Sequence, residues 1–80
     1  MHELIYSQRA DGDLRGLPHN VRVRIVEKLT STKENPWRFF KSLKDRDEFS
    51  LRVGDYRVLA EIDSALITVT HIGKREDVYE

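Results

Sequence analysis

The chain has 80 residues, none of them cysteine, and its 14 basic and 14 acidic side chains cancel to a formal net charge of +0 at pH 7. This length predicts a single domain over residues 1–80, and the lack of cysteine excludes disulfides, thiolate catalysis and cysteine-based zinc sites. Neutral charge argues against nucleic-acid binding through bulk charge, and without a signal-peptide core or an apolar run of ~18 residues we expect a cytoplasmic protein with no membrane span.

The beginning of the chain predicts a strand and a short helix. Glu3–Tyr6 is a short run with an apolar centre, which favours a strand. Residues 8–16 follow as a short helix, because Ala10 and Leu14 lie four residues apart on one face. Pro18 then separates this helix from the next element, since the residue before a proline avoids the helical region.

Residues 19–30 give the clearest helical pattern in the sequence. Val21, Ile25 and Leu29 recur every four residues, which predicts an apolar stripe along one side of a helix. Together with the first helix, this segment predicts a helical hairpin that buries its apolar face against a sheet.

Aromatic and basic side chains alternate after the hairpin. Trp37 and Phe40 are three residues apart, which predicts a helical turn that packs both rings on the core; stacking of these rings on nucleic-acid bases is the alternative. Basic side chains lie between and after them: Arg38, Lys41 and Lys44.

From Phe49 onward the apolar period changes from helical spacing to two. The alternation predicts three antiparallel strands over Phe49–Val53, Tyr56–Ile62 and residues 65–73, with turns at residues 54–55 and 63–64. The predicted fold class is therefore α+β. An N-terminal strand and a helical hairpin precede a three-stranded meander, and all strands form one sheet with the helices packed on one face.

The first turn of this meander sets Arg52 directly opposite Arg57. Like charges in this position destabilise a sheet by ~0.2–1 kcal/mol, but two adjacent guanidinium groups suit a phosphate. The second turn predicts Thr70 beside Arg57 on the face away from the core. The alternative is that these arginines are ordinary solvated surface residues.

Residues 51–58 (LRVGDYRV) and 73–79 (GKREDVY), with the order of the elements, resemble the RelE/ParE toxin superfamily. The resemblance covers nearly the whole chain and implies a RelE-like fold in a toxin of a type II toxin–antitoxin system. For the RelE branch it implies an mRNA endoribonuclease that acts in the ribosomal A site and inhibits translation. The RNA 2′-hydroxyl is the attacking group there, and no metal or other cofactor is implied.

The resemblance also implies site residues. By motif, Arg57 would contact the phosphate, Arg75 would stabilise charge or assist the leaving group, and Tyr79 would stack on a base or assist proton transfer. Arg52, from the strand pairing, and Lys74, from the basic pair that it forms with Arg75, are further phosphate-binding candidates.

Two features depart from the familiar RelE pattern. Glu48 and Ser50 occupy positions at which that pattern has outward lysines, so Glu48 is either a carboxylate base or a surface residue. In addition, acidic residues surround Tyr79, the tyrosine implied as a site residue: Glu76, Asp77 and Glu80.

The implied partners are a RelB-like antitoxin, the ribosomal A site and mRNA. We expect a monomer alone and a hetero-oligomer with the antitoxin, whose disordered segment would fold on Leu59, Leu66 and Ile72. Two alternatives stay open. One is a ParE-like toxin that is not a nuclease and poisons DNA gyrase, and the other is a catalytically weak homologue that acts as an interaction module.

Overall fold

The computed structural model describes residues 1–44 and 46–75. Its elements, in chain order, are β1 (Glu3–Tyr6), α1 (Gln8–Arg15), α2 (His19–Ser31), α3 (Pro36–Phe39), β2 (Lys41–Ser42), β3 (Phe49–Val53), β4 (Tyr56–Ile62) and β5 (Leu66–Lys74). The strands form one five-stranded sheet in the order β1-β5-β4-β3-β2, in which only the β1–β5 pair is parallel. The α+β prediction is confirmed, but the two-residue strand β2 was not predicted because so short a segment shows no period.

The helices bury one apolar stripe each against the sheet. Helix α1 buries Ala10 and Leu14, and helix α2 buries Ile25 and Leu29, so the predicted stripes hold at these positions. These side chains form one core cluster with the apolar residues on the facing side of β3, β4 and β5. In the described residues, no helix is long and apolar enough to cross a membrane.

Helix α1 also covers the edge of β5 beyond the end of β1. Strand β1 pairs with β5 only from Leu66 to Val69. Farther along β5, the Oδ2 atom of Asp13 accepts a hydrogen bond from the backbone N–H of Ile72, at 3.0 Å. Ser7, the residue that caps α1, donates its hydroxyl to the carbonyl of Thr70, at 3.3 Å. The helix therefore satisfies backbone groups that an exposed sheet edge would leave open.

The turn between β4 and β5 is longer than predicted. The Oδ1 atom of Asp63 accepts hydrogen bonds from the backbone N–H groups of Ala65 and Leu66, each at 2.7 Å. This local side-chain contact stabilises a turn in which Ile62 pairs with Ile67, where a two-residue loop would pair it with Ala65.

A β-bulge in β5 shifts the register again. The pairing between β4 and β5 passes over Thr70, so Arg57 lies opposite Gly73 and not beside Thr70 as predicted. An extra residue in one strand reverses the faces beyond it, and Ile72 accordingly belongs to the core, with 3% of its surface exposed. Leu59 is also only 3% exposed. The predicted apolar landing site is therefore wrong at these two positions.

We predict that Asp13→Ala lowers the free energy of unfolding by about 1–2 kcal/mol, because the N–H of Ile72 loses its acceptor. Urea denaturation measures this loss. Asp11→Ala is the matched control, since Asp11 lies in the same helix and its side chain forms, among the described residues, an exposed ion pair with Arg15 at 3.0 Å, worth about 0.5 kcal/mol or less. Equal losses in the two variants would contradict the edge-covering role of Asp13.

The Asp63 turn predicts a pH dependence of stability. The N–H groups of Ala65 and Leu66 hold the pKa of the Asp63 carboxyl below its ordinary value of 3.8. A lowered folded-state pKa means that the stabilisation is present above that ordinary value and is lost as the pH falls through the lowered one. Asp63→Asn keeps an acceptor but does not ionise. In urea denaturation, the difference in unfolding free energy between the two proteins should shrink as the pH falls from neutral to below 3.8. A difference that stays constant with pH would contradict a contribution from the Asp63 carboxylate.

Candidate phosphate-binding site

The predicted arginine pair lies at the centre of the site. Arg52 and Arg57 are direct partners in the register of β3 and β4, as predicted. The Nη1 atom of Arg57 donates a hydrogen bond to the hydroxyl of Ser50, at 2.9 Å, whereas the Nε atom of Arg52 is 3.5 Å from the carbonyl oxygen of Gly54, to which it donates. The two head groups are therefore directed to opposite sides of their shared position along β3, which reduces the repulsion that the pairing imposes.

Both arginines line a cleft of about 380 Å³, which we call the basic cleft. Its lining comes from α2, α3, β2, β3 and β4 and comprises Lys28, Arg38, Phe39, Lys41, Ser50, Leu51, Arg52 and Arg57. Within the described residues, Lys28, Arg38, Lys41 and Arg52 have no carboxylate oxygen within 4.0 Å. The neutral chain thus concentrates five cationic side chains at one place, where they can attract a polyanion.

The cleft exists because β2 is short. Strand β2 pairs with β3 only through Lys41 with Ser50 and Ser42 with Phe49. The remainder of β3 has no further strand beside it in the described part of the sheet. That gap is where α2 and α3 place their basic side chains beside Arg52.

An aromatic ring forms part of the cleft wall. Phe39 is 36% exposed, and the Nζ atom of Lys28 lies 5.0 Å from the centre of its ring. This cation–π contact holds the ammonium group at the cleft. The exposed part of the ring offers a flat surface of the kind on which nucleic-acid bases stack.

The neighbouring aromatic residues divide between core and surface. Phe40 is buried, as predicted, with 5% of its surface exposed, whereas Trp37 is 49% exposed. The indole of Trp37 makes edge-to-face contacts with Phe49 and His2, at ring-centre distances of 5.4 and 6.0 Å. The prediction that both rings belong to the core therefore holds for Phe40 alone.

Glu48 lies on the face of the sheet that carries the arginine pair. Its Oε2 atom accepts a hydrogen bond from the Thr70 hydroxyl at 2.9 Å. Glu48 precedes Ser50 by two residues, a separation of about 7 Å along an extended chain. The carboxylate is thus held beside β5 by Thr70, and Glu48 is not among the residues that line the basic cleft.

The remaining predicted site residues follow β5. Lys74 is exposed and pairs with Tyr56, so the alternation of the strand directs it away from the face that Gly73 shares with Arg57. The backbone N–H of Arg75 donates to the carbonyl of Asp55, at 3.0 Å, which holds Arg75 beside the β3–β4 turn. Tyr79 and the acidic residues around it lie outside the described residues.

Sequence reasoning missed three of the cations that the fold brings together. Arg38 and Lys41 were visible only as basic residues between aromatic ones, and Lys28 was visible as a residue off the apolar stripe of α2. Nothing in their spacing indicates that they meet Arg52 and Arg57, because the contact joins elements distant in sequence.

The chain is similar to known toxins of toxin–antitoxin systems. The family model described as the ParE toxin of the type II toxin–antitoxin system parDE matches residues 4–79. The toxin–antitoxin complex RelBE2 of Mycobacterium tuberculosis contains a chain with 26% identity and a TM-score of 0.86, and the alignment covers 92% of this chain and 98% of that one. No curated protein sequence gives a significant match.

Two further structures share the fold. The intact RelBE complex of Escherichia coli contains a chain with 25% identity and a TM-score of 0.77, covering 92% of this chain and 96% of that one. The chromosomal ParDE system of Pseudomonas aeruginosa contains a chain with 15% identity and a TM-score of 0.76, also covering 92% and 96%. The similarity to the last structure concerns the fold alone.

We predict that Ser50→Ala lowers the free energy of unfolding by about 1 kcal/mol, because Arg57 loses a hydrogen-bond acceptor at a position that is 6% exposed. Ser42→Ala in the adjacent strand is the control, since Ser42 is exposed and its loss should cost less than about 0.5 kcal/mol. Urea denaturation compares the two. If both variants are equally stable, Ser50 does not hold Arg57.

Proposed function

The chain belongs to the ParE toxin family, within the RelE/ParE superfamily, and is a toxin of a type II toxin–antitoxin system; on this premise we propose that it is a ribosome-dependent mRNA endoribonuclease. The basic cleft is the observation that carries the proposal. Five cations, four of them with no carboxylate within 4.0 Å in the described residues, stand around one open space beside an exposed aromatic ring. Such a surface suits a ribonucleotide, with its phosphate on the cations and its base on the ring.

The reaction proposed is an internal transesterification of RNA. The 2′-oxygen bonds to the adjacent phosphorus and loses its proton, and the bond from phosphorus to the 5′-oxygen breaks. The products are a 2′,3′-cyclic phosphate and a 5′-hydroxyl. This chemistry requires positive charge at the phosphate, a proton acceptor for the 2′-hydroxyl and a proton donor for the leaving oxygen.

The arginine pair would supply the charge. Arg57 is oriented by Ser50, so its guanidinium would need little reorganisation to stabilise the negative charge of the transition state. Arg52 would bind a non-bridging oxygen, or the next phosphate, from the exposed side of the pair. Arg75 would stabilise charge or assist the leaving group, with Lys74 as a peripheral cation. Tyr79, outside the described residues, would stack on a base or transfer a proton.

Glu48 is the candidate for the proton acceptor. Thr70 donates to only one of its carboxylate oxygens, and a carboxylate can accept further hydrogen bonds at the same time. A 2′-hydroxyl placed beside Thr70 would lie within reach of the Glu48 carboxylate. A carboxylate base would then stand at a position where the familiar RelE pattern has an outward lysine.

The partner proposed is a RelB-like antitoxin. The similar structures from M. tuberculosis and E. coli are toxin–antitoxin complexes. In this chain, Ile5, Trp37 and Phe39 are exposed apolar side chains, at 44%, 49% and 36%. An antitoxin segment that folds on the toxin could bury them while its acidic side chains cover the cleft. We propose a monomer in isolation and a hetero-oligomer with the antitoxin.

A gyrase poison is the second candidate. The observation in its favour is that the matching family model is that of the ParE toxin. Glu48 and Ser50 also favour the gyrase poison, because they replace lysines of the familiar nuclease pattern. In this case the basic cleft would contact gyrase or its DNA and would perform no chemistry. A catalytically weak homologue that acts as an interaction module is a weaker alternative, which the neutral charge of the whole chain favours.

We predict that Arg57→Ala and Arg75→Ala each reduce mRNA cleavage at least about 100-fold, because each removes a cation from the transition state. Primer extension on a defined mRNA in a translating extract measures the cuts. Ser50→Ala should reduce cleavage by roughly tenfold, since Arg57 keeps its charge but loses its orientation. Arg15→Ala is the control with the same loss of charge, and it should leave the cleavage rate unchanged, because Arg15 lies on α1 and lines no part of the cleft.

The same extract distinguishes the second candidate. Intact mRNA combined with accumulating gyrase–DNA breaks would reject the nuclease in favour of the gyrase poison. Intact mRNA without such breaks would favour the interaction module. Cuts that persist in Arg57→Ala and Arg75→Ala would leave the nuclease in place but remove these residues from its active site.

A further inference from the structure

A second cleft, of about 460 Å³, adjoins the basic cleft. It is lined by Arg24, Glu27, Lys28, Arg52, Val53 and Gly54. Lys28 and Arg52 line both spaces, so the two clefts are adjacent and share these two side chains. Arg24 and Lys28 lie one helical turn apart on α2, which places them on the same side of the helix. None of the residues that line only this second space was predicted to have a functional role.

Gly54 brings two arginines together at this cleft. Its φ angle is +59°, and a Cβ atom at this position would lie 3.0 Å from the Nη2 atom and 3.4 Å from the Nη1 atom of Arg24. Glycine thus permits both the turn and the close approach of the Arg24 guanidinium. On its other side, the carbonyl oxygen of Gly54 accepts from the Nε atom of Arg52, at 3.5 Å. One residue therefore lies between two cationic side chains: its carbonyl accepts from Arg52, and its missing side chain leaves room for Arg24.

We propose that this second cleft binds the next phosphodiester of the single-stranded RNA whose neighbouring phosphate occupies the basic cleft. The inference rests on the proposed function and extends it. Arg24 and Lys28 bind the phosphate oxygens. Arg52 directs its Nε atom to Gly54 and has two terminal nitrogens available to bridge the two phosphates.

Glu27 adds a hydrogen-bond acceptor to the cations of this cleft. Its exposed side chain lines the space beside three cations, and a carboxylate accepts hydrogen bonds without donating any. The ribose 2′-hydroxyl is a donor that DNA lacks, so Glu27 accepts from it and favours RNA over DNA. The same carboxylate disfavours an acidic peptide, which offers negative charge without hydroxyl donors.

The test measures the affinity of the purified chain for labelled octauridylate, and for its 2′-deoxy counterpart, by fluorescence anisotropy at several salt concentrations. Arg24→Ala should lower RNA affinity roughly fivefold and reduce the slope of log K against log salt by about 0.7, the value for one lost phosphate contact to a single strand. Arg24→Lys should restore the slope and only part of the affinity, because lysine lacks the planar fork.

Arg15→Ala is the control for Arg24→Ala, since it removes one positive charge from α1 outside both clefts. A slope in Arg24→Ala equal to that in Arg15→Ala would overturn the second phosphate contact. Binding of an acidic peptide, octaglutamate, is a further check. If octaglutamate binds with the same dependence on Arg24 and octauridylate does not bind, the cleft belongs to an acidic peptide and the inference is wrong.

Glu27→Ala tests the hydroxyl contact, with the exposed Glu34→Ala as its control. The preference for octauridylate over its deoxy counterpart should disappear in Glu27→Ala and persist in Glu34→Ala. An equal rise in affinity for both oligonucleotides, with the preference retained, would mean that Glu27 only repels phosphates. That outcome would overturn its role in RNA selection.

The failures of the two proposals differ. If the wild-type chain cuts no mRNA but its RNA affinity depends on Arg24 as stated, the nuclease proposal fails and the second cleft stands. Suppose instead that mRNA is cut, and that Arg24→Ala changes neither the salt dependence of RNA affinity nor the toxin concentration needed for half-maximal cleavage. The second-cleft proposal then fails and the nuclease proposal stands.

Discussion

The repulsion between Arg52 and Arg57 is the constraint on which the rest of the site depends. The β3–β4 register places them opposite each other, so their side chains can relieve the repulsion only by turning apart. Ser50 accepts from one guanidinium and the carbonyl of Gly54 accepts from the other. Each contact directs a cation into a different part of the same open space. An unfavourable pair in the sheet thereby becomes two oriented guanidinium groups, while Thr70 holds the Glu48 carboxylate beside β5.

Helix α2 serves the core and the site at once. Ile25 and Leu29 are fully buried, while Arg24 and Lys28, one residue before each of them, line the clefts. The helical period of 3.6 residues makes this possible, because neighbours in sequence are about 100° apart around the axis. Burial of the apolar stripe fixes the rotation of the helix. The same contacts therefore fix where its two cations lie relative to the sheet.

The turn before β5 and the bulge within it determine where the predicted site residues of this strand lie. Asp63 lengthens the turn before β5, and the bulge at Thr70 shifts its pairing once more. Gly73 consequently lies opposite Arg57, at the position where the predicted pairing had Thr70. The contact from Arg75 to the carbonyl of Asp55 then holds the end of the strand beside the β3–β4 turn, while alternation directs Lys74 to the other side.

The sequence by itself determined the local elements and the pairing of Arg52 with Arg57, because apolar period and a two-residue turn are properties of neighbouring residues. The sequence also carried the resemblance to the toxin superfamily, which the match to the ParE toxin family model confirmed. Only the tertiary structure decided the two-residue strand β2, the bulge at Thr70 and the meeting of Lys28, Arg38 and Lys41 with the arginine pair. These features depend on contacts between distant segments and on the register of whole strands. One shifted residue changes which face a side chain occupies, and no short stretch of sequence records that choice.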